Sequence, residues 1–417
     1  MLNNIGKTAK ITSQILAKLT TDQKNQILEK IAIALKQEKT NILLSNKKDM
    51  KLAKINGLNE SLQDRLLLTT SRLKNIIDDI ICISRLEDPI GQIIDGKQTS
   101  DGLTLYRYRT PIGVICVIYE SRPNITIDIA TLCLKTGNAA ILRSGKETDN
   151  TNTTIVNIIQ KTLKNAKLPS NAIQIIKNYD RELIIKLLKL NKYIDMIIPR
   201  GGKELHKICY KESIIPILSG GIGICHIFVD EFVDFNNAIE VIINAKSQRP
   251  SACNSLETLL VHKNIASKFL PMLNKRTDKE QIILHASKKA LHYLEEGQAK
   301  VVELKLENLN NEWLSLDLNI EIVDNIDAAI KHIQIYGSSH SDAILTDSIK
   351  QANYFIQCVD SATVYVNAST RFTDGGQFGL GSEVAVSTQK LHARGPVGLN
   401  ELTTYKWVGY GNYLIRT

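Results

Sequence analysis

The chain has 417 residues, a length that predicts two or three domains with an ample apolar core. Its 52 basic and 43 acidic side chains give a net charge of +9, which suits an anionic ligand such as a nucleotide or phosphate. Aromatic residues are few and do not interleave with basic ones, which argues against nucleic-acid binding.

The cysteines and the apolar runs indicate the cellular compartment of the protein. None of the seven cysteines is paired as CxxC, which predicts free thiols in a reducing compartment, and no His, Cys and Asp cluster has metal-ligand spacing. The N-terminus, MLNNIGKTAK, lacks the apolar core of a signal peptide, and no apolar run approaches the ~20 residues of a membrane span. We therefore expect a cytoplasmic protein without a metal and without a membrane partner.

The first 90 residues or so have a helical pattern. Thr20 and Gln23 have the spacing of a capping box ahead of an apolar helix face. A later helix places Leu73, Ile76 and Ile80 on one stripe, which needs a partner surface in the rest of the fold.

Strands then begin to alternate with helices. The alternating segment 103–109 predicts a long, partly exposed strand suited to subunit pairing, and Asn124 is placed to cap the helix that follows the next strand. The alternation predicts a mostly parallel, doubly wound sheet whose ligand lies at the carboxyl ends of its strands. The buried strands predicted here are 112–118, 139–142, 172–176, 194–198, 214–218 and 224–229.

Polar segments follow several of these strands. Gly201 and Gly202 open a helix, whose N-terminus is a natural phosphate site. The basic residues at successive strand ends are Arg122, Arg143, Lys146 and Arg200. Together these residues predict a polyanionic ligand such as a dinucleotide, although no GxGxxG motif follows the first strand, so an ordinary Rossmann fingerprint is absent.

The segment 246–257, KSQRPSACNSLE, is the best candidate for a reactive centre. Cys253 lies there in a polar, basic loop between an amphipathic helical run and an apolar strand. Arg249, and a short helix if one begins after Pro250, would favour the thiolate, which is the nucleophilic form. A single cysteine is more often a small buried hydrophobic residue, but the polar flanks favour a nucleophile here.

Two later segments stand out from the surrounding helices and strands. The segment 336–342, YGSSHSD, precedes a short strand. The segment 367–381 is a polar, glycine-rich loop that is longer than most connections between elements, and loops of this kind are often functional. The C-terminal segment TYKWVGYGNYLI alternates as an exposed strand would.

Four motifs together resemble the aldehyde dehydrogenase superfamily and, more narrowly, its γ-glutamyl phosphate reductase family. They are SQRPSACNSLETLLVH around Cys253, AAIKHIQIYGSSHSDAI from Ala328, YESRPN from Tyr119, and ASTRFTDGGQFGLGSEVAVSTQKLHARGPVGL from Ala368. The resemblance implies an aldehyde-dehydrogenase-like α/β fold with two doubly wound α/β domains plus a β oligomerisation flap, in a homodimer. The implied boundaries are 1–97 with 115–227 for cofactor binding, 228–383 for catalysis, and 98–114 with 384–417 for oligomerisation.

The resemblance also implies where the cofactor binds. Arg143 falls where the superfamily has a lysine that contacts the adenosine ribose, and Lys146 falls where many NAD-preferring members carry a glutamate. A cation at that position would favour the 2′-phosphate of NADP, while a merely solvated Lys146 is the alternative. Glu312 aligns with a glutamate near the nicotinamide ribose, and Ser144 belongs to the same strand-end loop as Arg143.

For the catalytic site, the resemblance makes Cys253 the thiol nucleophile. Ser121 or Asn124 would be an oxyanion donor beside the Cys253 N–H. The candidates for contacts with the departing phosphate or with the rest of the substrate are Arg122, Arg249, His340, Arg371, Asp374 and Phe378. For Arg371 and Asp374, a solvated loop position is the alternative interpretation.

One departure from the superfamily indicates the reaction. Hydrolytic members carry a glutamate just before a Gly-Gly turn, whereas this chain has Leu218 and Ser219 there. Without that base, water should attack a thioester slowly, which fits release of phosphate. The resemblance implies NADPH-dependent reduction of L-glutamyl 5-phosphate to L-glutamate 5-semialdehyde in proline biosynthesis. A coenzyme-A-acylating aldehyde dehydrogenase and a non-enzymatic basic or RNA-binding scaffold are the alternatives.

Overall fold

The structure is a computed structural model that describes residues 1–294 and 297–416. Its α-helices, numbered α1 to α14 in chain order, span Leu2–Leu16, Thr21–Gln37, Lys39–Ile55, Glu60–Leu66, Thr70–Arg85, Pro123–Lys135, Asp149–Asn165, Arg181–Leu187, Lys203–Glu212, Phe235–Ser247, Lys263–Lys279, Lys288–Leu291, Ile326–Tyr336 and Ile349–Cys358.

The strands are numbered in the same way, β1 to β16. They span Ile93–Gln98, Thr104–Pro111, Val114–Tyr119, Ala139–Arg143, Ile173–Ile175, Met196–Arg200, Cys225–Val229, Leu256–His262, Ile283–Ala286, Val301–Glu303, Asp317–Val323, Ser341–Leu345, Thr363–Val366, Val386–Ser387, Gly395–Pro396 and Thr403–Tyr410.

The first of two compact units comprises Met1–Gly220, Gly379–Ala385 and Pro396–Thr417. Its parallel sheet has the order β5-β4-β3-β6, and β3 is buried along its whole length. Ile118 pairs with Arg143 on one side and Tyr119 with Arg200 on the other, so three strands end side by side. Polar residues that follow these strands therefore share one edge of the sheet.

The helices before this sheet confirm the helical prediction for the N-terminal region. The Thr20 Oγ1 accepts from the Gln23 N–H, and the Thr20 N–H donates to Gln23 Oε1, which is the predicted capping box at the start of α2. In α5 the stripe of Leu73, Ile76 and Ile80 is buried, as its periodicity predicts.

A three-stranded antiparallel sheet, β1-β2-β16, belongs to the same unit. It contains both the strand predicted at 103–109 and the C-terminal strand. Tyr405 and Trp407 of β16 are about half exposed, and the Arg107 guanidinium lies over both rings. The use of this sheet in subunit pairing stays a prediction.

The second unit comprises Gly221–Phe378 and Val386–Gly395. Its seven strands have the order β10-β9-β11-β8-β7-β12-β13 and run parallel. Ile227 and Val229 pack with residues of α10 and α11, whereas Phe228 packs with residues of α13 and α14. Because alternate side chains point to opposite faces, helices cover both sides of the sheet. The α/β class with parallel sheets is confirmed.

Two local predictions were wrong. Segment 214–218 is not a strand: Pro216 has no N–H to extend a ladder, and only Ile217 forms an isolated bridge. Asn124 does not cap α6, because Pro123 starts that helix and Arg122 is its N-cap residue. The residues after Pro250 form turns rather than a helix.

Among the described residues, none of the helices has the length and apolar character that crossing a membrane requires.

Candidate active site

Cys253 lies in a turn between α10 and β8 and is partly exposed. The turn is held by backbone hydrogen bonds from the Ala252 N–H to the Arg249 carbonyl (3.1 Å) and from the Ser255 N–H to the Ala252 carbonyl (3.0 Å). Most described cysteines outside this loop are fully buried, among them Cys116, Cys133, Cys209 and Cys225. The Cys253 thiol is therefore placed to meet a ligand.

A glycine in the segment before β7 fixes the backbone of this turn. A Cβ built on Gly223 would lie 1.4 Å from the Cys253 carbonyl oxygen, so only glycine fits at that position. The Gly223 N–H donates to Glu312 Oε1 at 3.1 Å, which ties the predicted cofactor-contacting carboxylate to the nucleophile loop. The Cys225 thiol donates to the same Cys253 carbonyl at 3.3 Å.

His340 is the candidate acid-base group beside the cysteine. Its side chain is fully buried, and its Nδ1 lies 2.9 Å from Ser341 Oγ and 3.9 Å from the Cys225 sulfur. Burial lowers the pKa of His340, but the negative charges of the Cys253 thiolate, Glu312 and Asp342 outweigh burial, so the pKa is raised. An ionised Cys253 therefore favours a proton on His340.

The two ends of the nucleophile loop are joined by a buried ion pair. Lys246 Nζ lies 3.0 Å from Glu257 Oε2, and both side chains are fully buried. Burial alone raises the pKa of Glu257 and lowers the pKa of Lys246, and the attraction and hydrogen bond between the two groups oppose both shifts, so each partner keeps the other charged. The pair holds Lys246 and Glu257 together, and the Cys253 turn lies between these two residues in the chain.

A polar cavity of about 200 Å³ lies next to the loop. It is lined by Asn244, Gln248, Arg371, Phe372, Asp374 and Gln377. The Arg371 Nε donates to Gln248 Oε1 at 2.8 Å, and the Asp374 carboxylate accepts the backbone N–H groups of residues 376 and 377. Burial and the charge of Arg249 lower the pKa of Arg371, while the Cys253 thiolate opposes this shift, so these residues lie within electrostatic reach of the nucleophile.

The glycine-rich loop is attached directly to the residue after the nucleophile. The Asn254 Nδ2 donates to the Thr373 carbonyl at 2.9 Å, and the Thr370 hydroxyl donates to the Asn254 carbonyl at 2.7 Å. Phe378, predicted to line the substrate pocket, is 43% exposed on this loop. The second unit therefore brings the loop, Arg371 and Asp374 together with Cys253.

In the first unit, Ser121 follows β3 in the left-handed region, at φ 46°. Its N–H and its hydroxyl both donate to Glu147 Oε1 at 2.7 Å. A Cβ on Gly145 would meet that carboxylate at 2.1 Å, so glycine there lets Glu147 reach back to Ser121. The two hydrogen bonds offset the strain of a non-glycine residue at positive φ.

Asn124 lies in the first turn of α6, two residues after the partly buried Arg122. Its Nδ2 donates to Asp128 Oδ2 at 3.2 Å. Burial, the charge of Asp79 and that of Glu383 raise the pKa of Asp128 to about 7, while the Asn124 hydrogen bond opposes the shift. In this structure the side-chain donors of both oxyanion candidates, Ser121 and Asn124, are engaged by acidic side chains.

The end of β4 carries the residues predicted to hold the adenosine. Arg143 is buried, donates to the Tyr179 carbonyl at 3.0 Å and has no partner for its Nε among the described residues. The pKa of Arg143 is lowered overall, because burial outweighs the opposing effect of nearby acidic groups, Glu147 and Glu120 among them. Ser144 is buried beside it, and Lys146 is exposed at the start of a 3₁₀ turn.

The Gly201–Gly202 pair lies at the start of α9, where both residues are exposed. The Gly202 N–H donates to Glu120 Oε2 at 3.1 Å, and a Cβ on Gly201 would meet the same carboxylate at 2.6 Å. A Cβ on Gly202 would meet nothing within 4 Å. Open space at the N-terminus of this helix suits an anionic ligand.

Sequence reasoning missed several partners of the candidate residues. Glu147 and Gly223 were not expected to hold Ser121 and Cys253. The Lys246–Glu257 pair had a detectable signal, because a lone glutamate inside the apolar run LETLLVH needs a buried partner. Across residues 1–294 and 297–416, no group of three or more His, Cys, Asp or Glu side chains is arranged to hold a metal ion.

Comparisons with known proteins identify the family of the chain. The model described as the aldehyde dehydrogenase family matches residues 2–291. A γ-glutamyl phosphate reductase of Photorhabdus laumondii is 58% identical over 416 residues, with 100% of both chains covered. The crystal structure of γ-glutamyl phosphate reductase from Thermotoga maritima is 42% identical, with 100% of both chains covered and a TM-score of 0.95. An acetylating aldehyde dehydrogenase from Geobacillus thermoglucosidasius is 19% identical, covers 100% of this chain and 97% of its own, and shares the fold with a TM-score of 0.71. The chain therefore belongs to the aldehyde dehydrogenase family and, within it, to the γ-glutamyl phosphate reductases.

Proposed function

We propose that the chain reduces L-glutamyl 5-phosphate to L-glutamate 5-semialdehyde and phosphate, with NADPH, through a thioester on Cys253. The observation that carries the proposal is the setting of Cys253. Its side chain is partly exposed, its backbone packs against Gly223, and its negative charge raises the pKa of the buried His340. Membership in the γ-glutamyl phosphate reductases supports the substrate, and the product would enter proline biosynthesis.

The residues around Cys253 divide the reaction into two easier steps. His340 takes the thiol proton, and the Cys253 thiolate attacks the acyl carbon. The bond to the phosphate oxygen breaks, and the departing phosphate takes up that proton, which leaves a thioester. The hydride that reduces the thioester would come from a reduced nicotinamide cofactor. The alkoxide that results re-forms a carbonyl and expels the thiolate, and the sulfur then regains one proton from the surroundings.

The segment before the Gly-Gly turn supports transfer to phosphate rather than hydrolysis. Leu218 is buried, and the Ser219 hydroxyl lies 2.7 Å from His206 Nδ1. Neither residue carries a carboxylate that could activate water against a thioester. A thioester on Cys253 should therefore survive long enough to be reduced.

The cavity beside the loop is our candidate for the amino-acid end of the substrate. The Arg371 guanidinium suits the α-carboxylate and the Asp374 carboxylate suits the α-ammonium. Phe378 would cover the methylene chain. Arg249, Arg122 and His340 would contact the departing phosphate, and Ser121 or Asn124 would donate to the oxyanion once released from its acidic partner.

The family implies a nicotinamide cofactor, and we propose that it is NADP rather than NAD. Arg143, Ser144 and the Gly201–Gly202 pair would hold the dinucleotide, with Glu312 near the nicotinamide ribose. The exposed Lys146 would pair with the 2′-phosphate. The coenzyme-A-acylating alternative is not favoured, because the likeness to the acetylating enzyme extends to the fold alone.

Three further assignments accompany this function. We propose a homodimer in which β16, with its exposed Tyr405, Trp407 and Tyr410, pairs with a second copy of the chain. We assign cofactor binding to residues 1–97 and 115–227, catalysis to 228–383 and subunit pairing to 98–114 and 384–417. We also propose a cytoplasmic location, since the reducing cytosol would keep Cys253 a thiol.

The test is an assay of NADP reduction with L-glutamate 5-semialdehyde, with and without inorganic phosphate and with coenzyme A in its place. We expect phosphate-dependent activity in the wild type and none with coenzyme A. Cys253→Ala should lose activity by at least ~10⁴-fold, because no thioester can form, whereas Cys82→Ala, at an exposed helix position, should retain it. Retained activity in Cys253→Ala would reject the mechanism.

A further inference from the structure

A line of four side chains leads away from the candidate acid-base group. His340 Nδ1 lies 2.9 Å from Ser341 Oγ, Ser341 Oγ lies 2.7 Å from Thr373 Oγ1, and Thr373 Oγ1 lies 2.8 Å from Tyr365 Oη. The side chains of His340, Ser341 and Thr373 are buried, and Tyr365 is partly exposed to solvent. The line therefore runs from the interior beside Cys253 towards the surface of the second unit.

Every member of this line can both donate and accept a hydrogen bond. An imidazole carries a proton on either nitrogen, and each hydroxyl has one O–H and two lone pairs. The line therefore has two orientations, one with the donors directed from His340 to Tyr365 and one with the donors directed back. Changing from one orientation to the other moves one proton along the whole line without leaving a charge on any hydroxyl.

The other ring nitrogen of His340 is available for the reaction. Its Nε2 is buried and has no hydrogen-bond partner among the described residues. The imidazole can therefore give a proton from Nε2 while it takes one at Nδ1 from Ser341. Such an exchange leaves the ring neutral and changes only its tautomer.

We propose that Ser341, Thr373 and Tyr365 form a proton relay that returns one proton per turnover to His340 and Cys253. The inference rests on the proposed function, whose overall reaction consumes one proton for each hydride. After the thiolate leaves the aldehyde carbon, its sulfur takes the Nε2 proton of His340. His340 takes the Ser341 proton, Ser341 takes that of Thr373, Thr373 takes that of Tyr365, and Tyr365 regains one from water.

The surroundings of Tyr365 are consistent with a relay that exchanges protons without holding charge. Burial raises the pKa of Tyr365 to about 12, with the hydrogen bond to Thr373 opposing the shift. The phenol therefore stays neutral at physiological pH and passes on a proton only when it receives another. A permanent charge at this end would instead hold the line in one orientation.

The same hydroxyls could serve structure alone, because they join β12, β13 and the loop that holds Asn254. Two substitutions separate the roles. Thr373→Val removes the central hydroxyl and keeps the shape, and Thr373→Ser keeps the hydroxyl. Thr363→Val is the matched control, since its Oγ1 on β13 is buried without a hydrogen-bond partner among the described residues.

The experiment measures kcat, KM, the kcat ratio between H₂O and D₂O, and the thermal midpoint of each variant in the phosphate-dependent assay. For Thr373→Val we expect kcat to fall by about 10- to 100-fold with an unchanged KM and a larger solvent isotope effect. Thr373→Ser should recover kcat to within about threefold, and Tyr365→Phe should resemble Thr373→Val. Thr363→Val should match the wild type.

Two results would overturn the relay. One is a Thr373→Val or Tyr365→Phe protein that is less stable but keeps the wild-type kcat and isotope effect, since the line would then serve packing only. The other is failure of Thr373→Ser to recover activity while it folds normally. If Thr373→Val does not fold, Tyr365→Phe decides, because it deletes only the terminal hydroxyl. A wild type without phosphate-dependent activity would instead reject the proposed function and, with it, the relay.

Discussion

The amine of Lys246 and the carboxylate of Glu257 meet at 3.0 Å in the interior, at the two ends of the loop that carries Cys253. Eleven positions separate them along the chain, and α10 ends near one while β8 begins near the other. Because the pair joins the ends of the loop, it connects the stability of the second unit to the position of the nucleophile.

Removal of one partner should destabilise the protein far more than removal of both. Lys246→Met leaves Glu257 buried without a counter-charge, and we expect a loss of about 3–5 kcal/mol in the free energy of unfolding. The double variant Lys246→Met/Glu257→Leu should recover most of that loss. Urea unfolding measures both, with Lys263→Ala at the exposed Lys263–Asp324 pair as a control expected to cost less than about 1 kcal/mol. Equal losses in the single and double variants would contradict this account.

Gly223→Ala should impair catalysis through the backbone of Cys253. Its Cβ would overlap the Cys253 carbonyl oxygen, so the turn must move. A displacement of about 1 Å at a reacting group can cost about 100-fold in rate, and we expect at least that loss in kcat. The thermal midpoint and the assay are measured together, and a variant with wild-type kcat would show that the turn adapts.

The charge of His340 should control the reactivity of Cys253. The raised pKa of His340 means that the imidazolium stabilises the thiolate until the pH rises through that pKa. With His340→Gln we expect iodoacetamide to alkylate Cys253 about tenfold more slowly at pH 7. Peptide mass spectrometry follows Cys253 separately from other thiols. His332→Gln is the control, because burial and His226 lower the pKa of His332 to about 3 and leave it neutral at pH 7.

Asp128 should make the protein less stable as the pH rises from about 4 to about 7. Its pKa is about 7 in the folded chain against 3.8 unfolded, so only the unfolded state loses the proton in this window. At about 1.4 kcal/mol per unit of pKa, the shift from 3.8 to about 7 corresponds to a penalty of about 4 kcal/mol above pH 7. Asp128→Asn should remove it in urea unfolding at pH 5 and pH 8, whereas Asp347→Asn, an equal change of charge at an exposed position, should not.

Lys146→Glu should weaken the use of NADP without a matching loss for NAD. A carboxylate there repels a 2′-phosphate and accepts from a 2′-hydroxyl. We expect kcat/KM with NADP to fall by about tenfold or more, on the scale of about 1.4 kcal/mol per factor of ten. Lys161→Glu, on the exposed side of α7, is the matched control for charge. Equal losses with both cofactors would remove Lys146 from the NADP site.

The alternation of strands and helices was predictable because buried parallel strands are short apolar runs and their helices carry amphipathic stripes. The predicted strand 112–118, for example, corresponds to β3 with a shift of one or two residues at its ends. The predicted strand 214–218 has the same apolar composition, and there the missing N–H of Pro216 decides the outcome.

The partial exposure of Cys253 was predictable because its polar flanks contrast with those of the buried cysteines. The contact between Gly223 and the Cys253 carbonyl was not, because it joins two backbones that are distant in sequence and leaves no side-chain pattern. The relay residues were equally hidden, since Thr373 and Tyr365 are ordinary residues until folding aligns their hydroxyls with Ser341.

The hydrogen bonds from Ser121 to Glu147, with Gly145 beneath the carboxylate, lie entirely within the first unit. The loop after β3 therefore has a defined conformation before any ligand arrives. Less conformational entropy remains to be lost when a ligand binds there, so affinity would depend mainly on the exchange of Glu147 for the ligand as the partner of Ser121. Binding and release at this loop would then be a competition between two anions for one pair of donors.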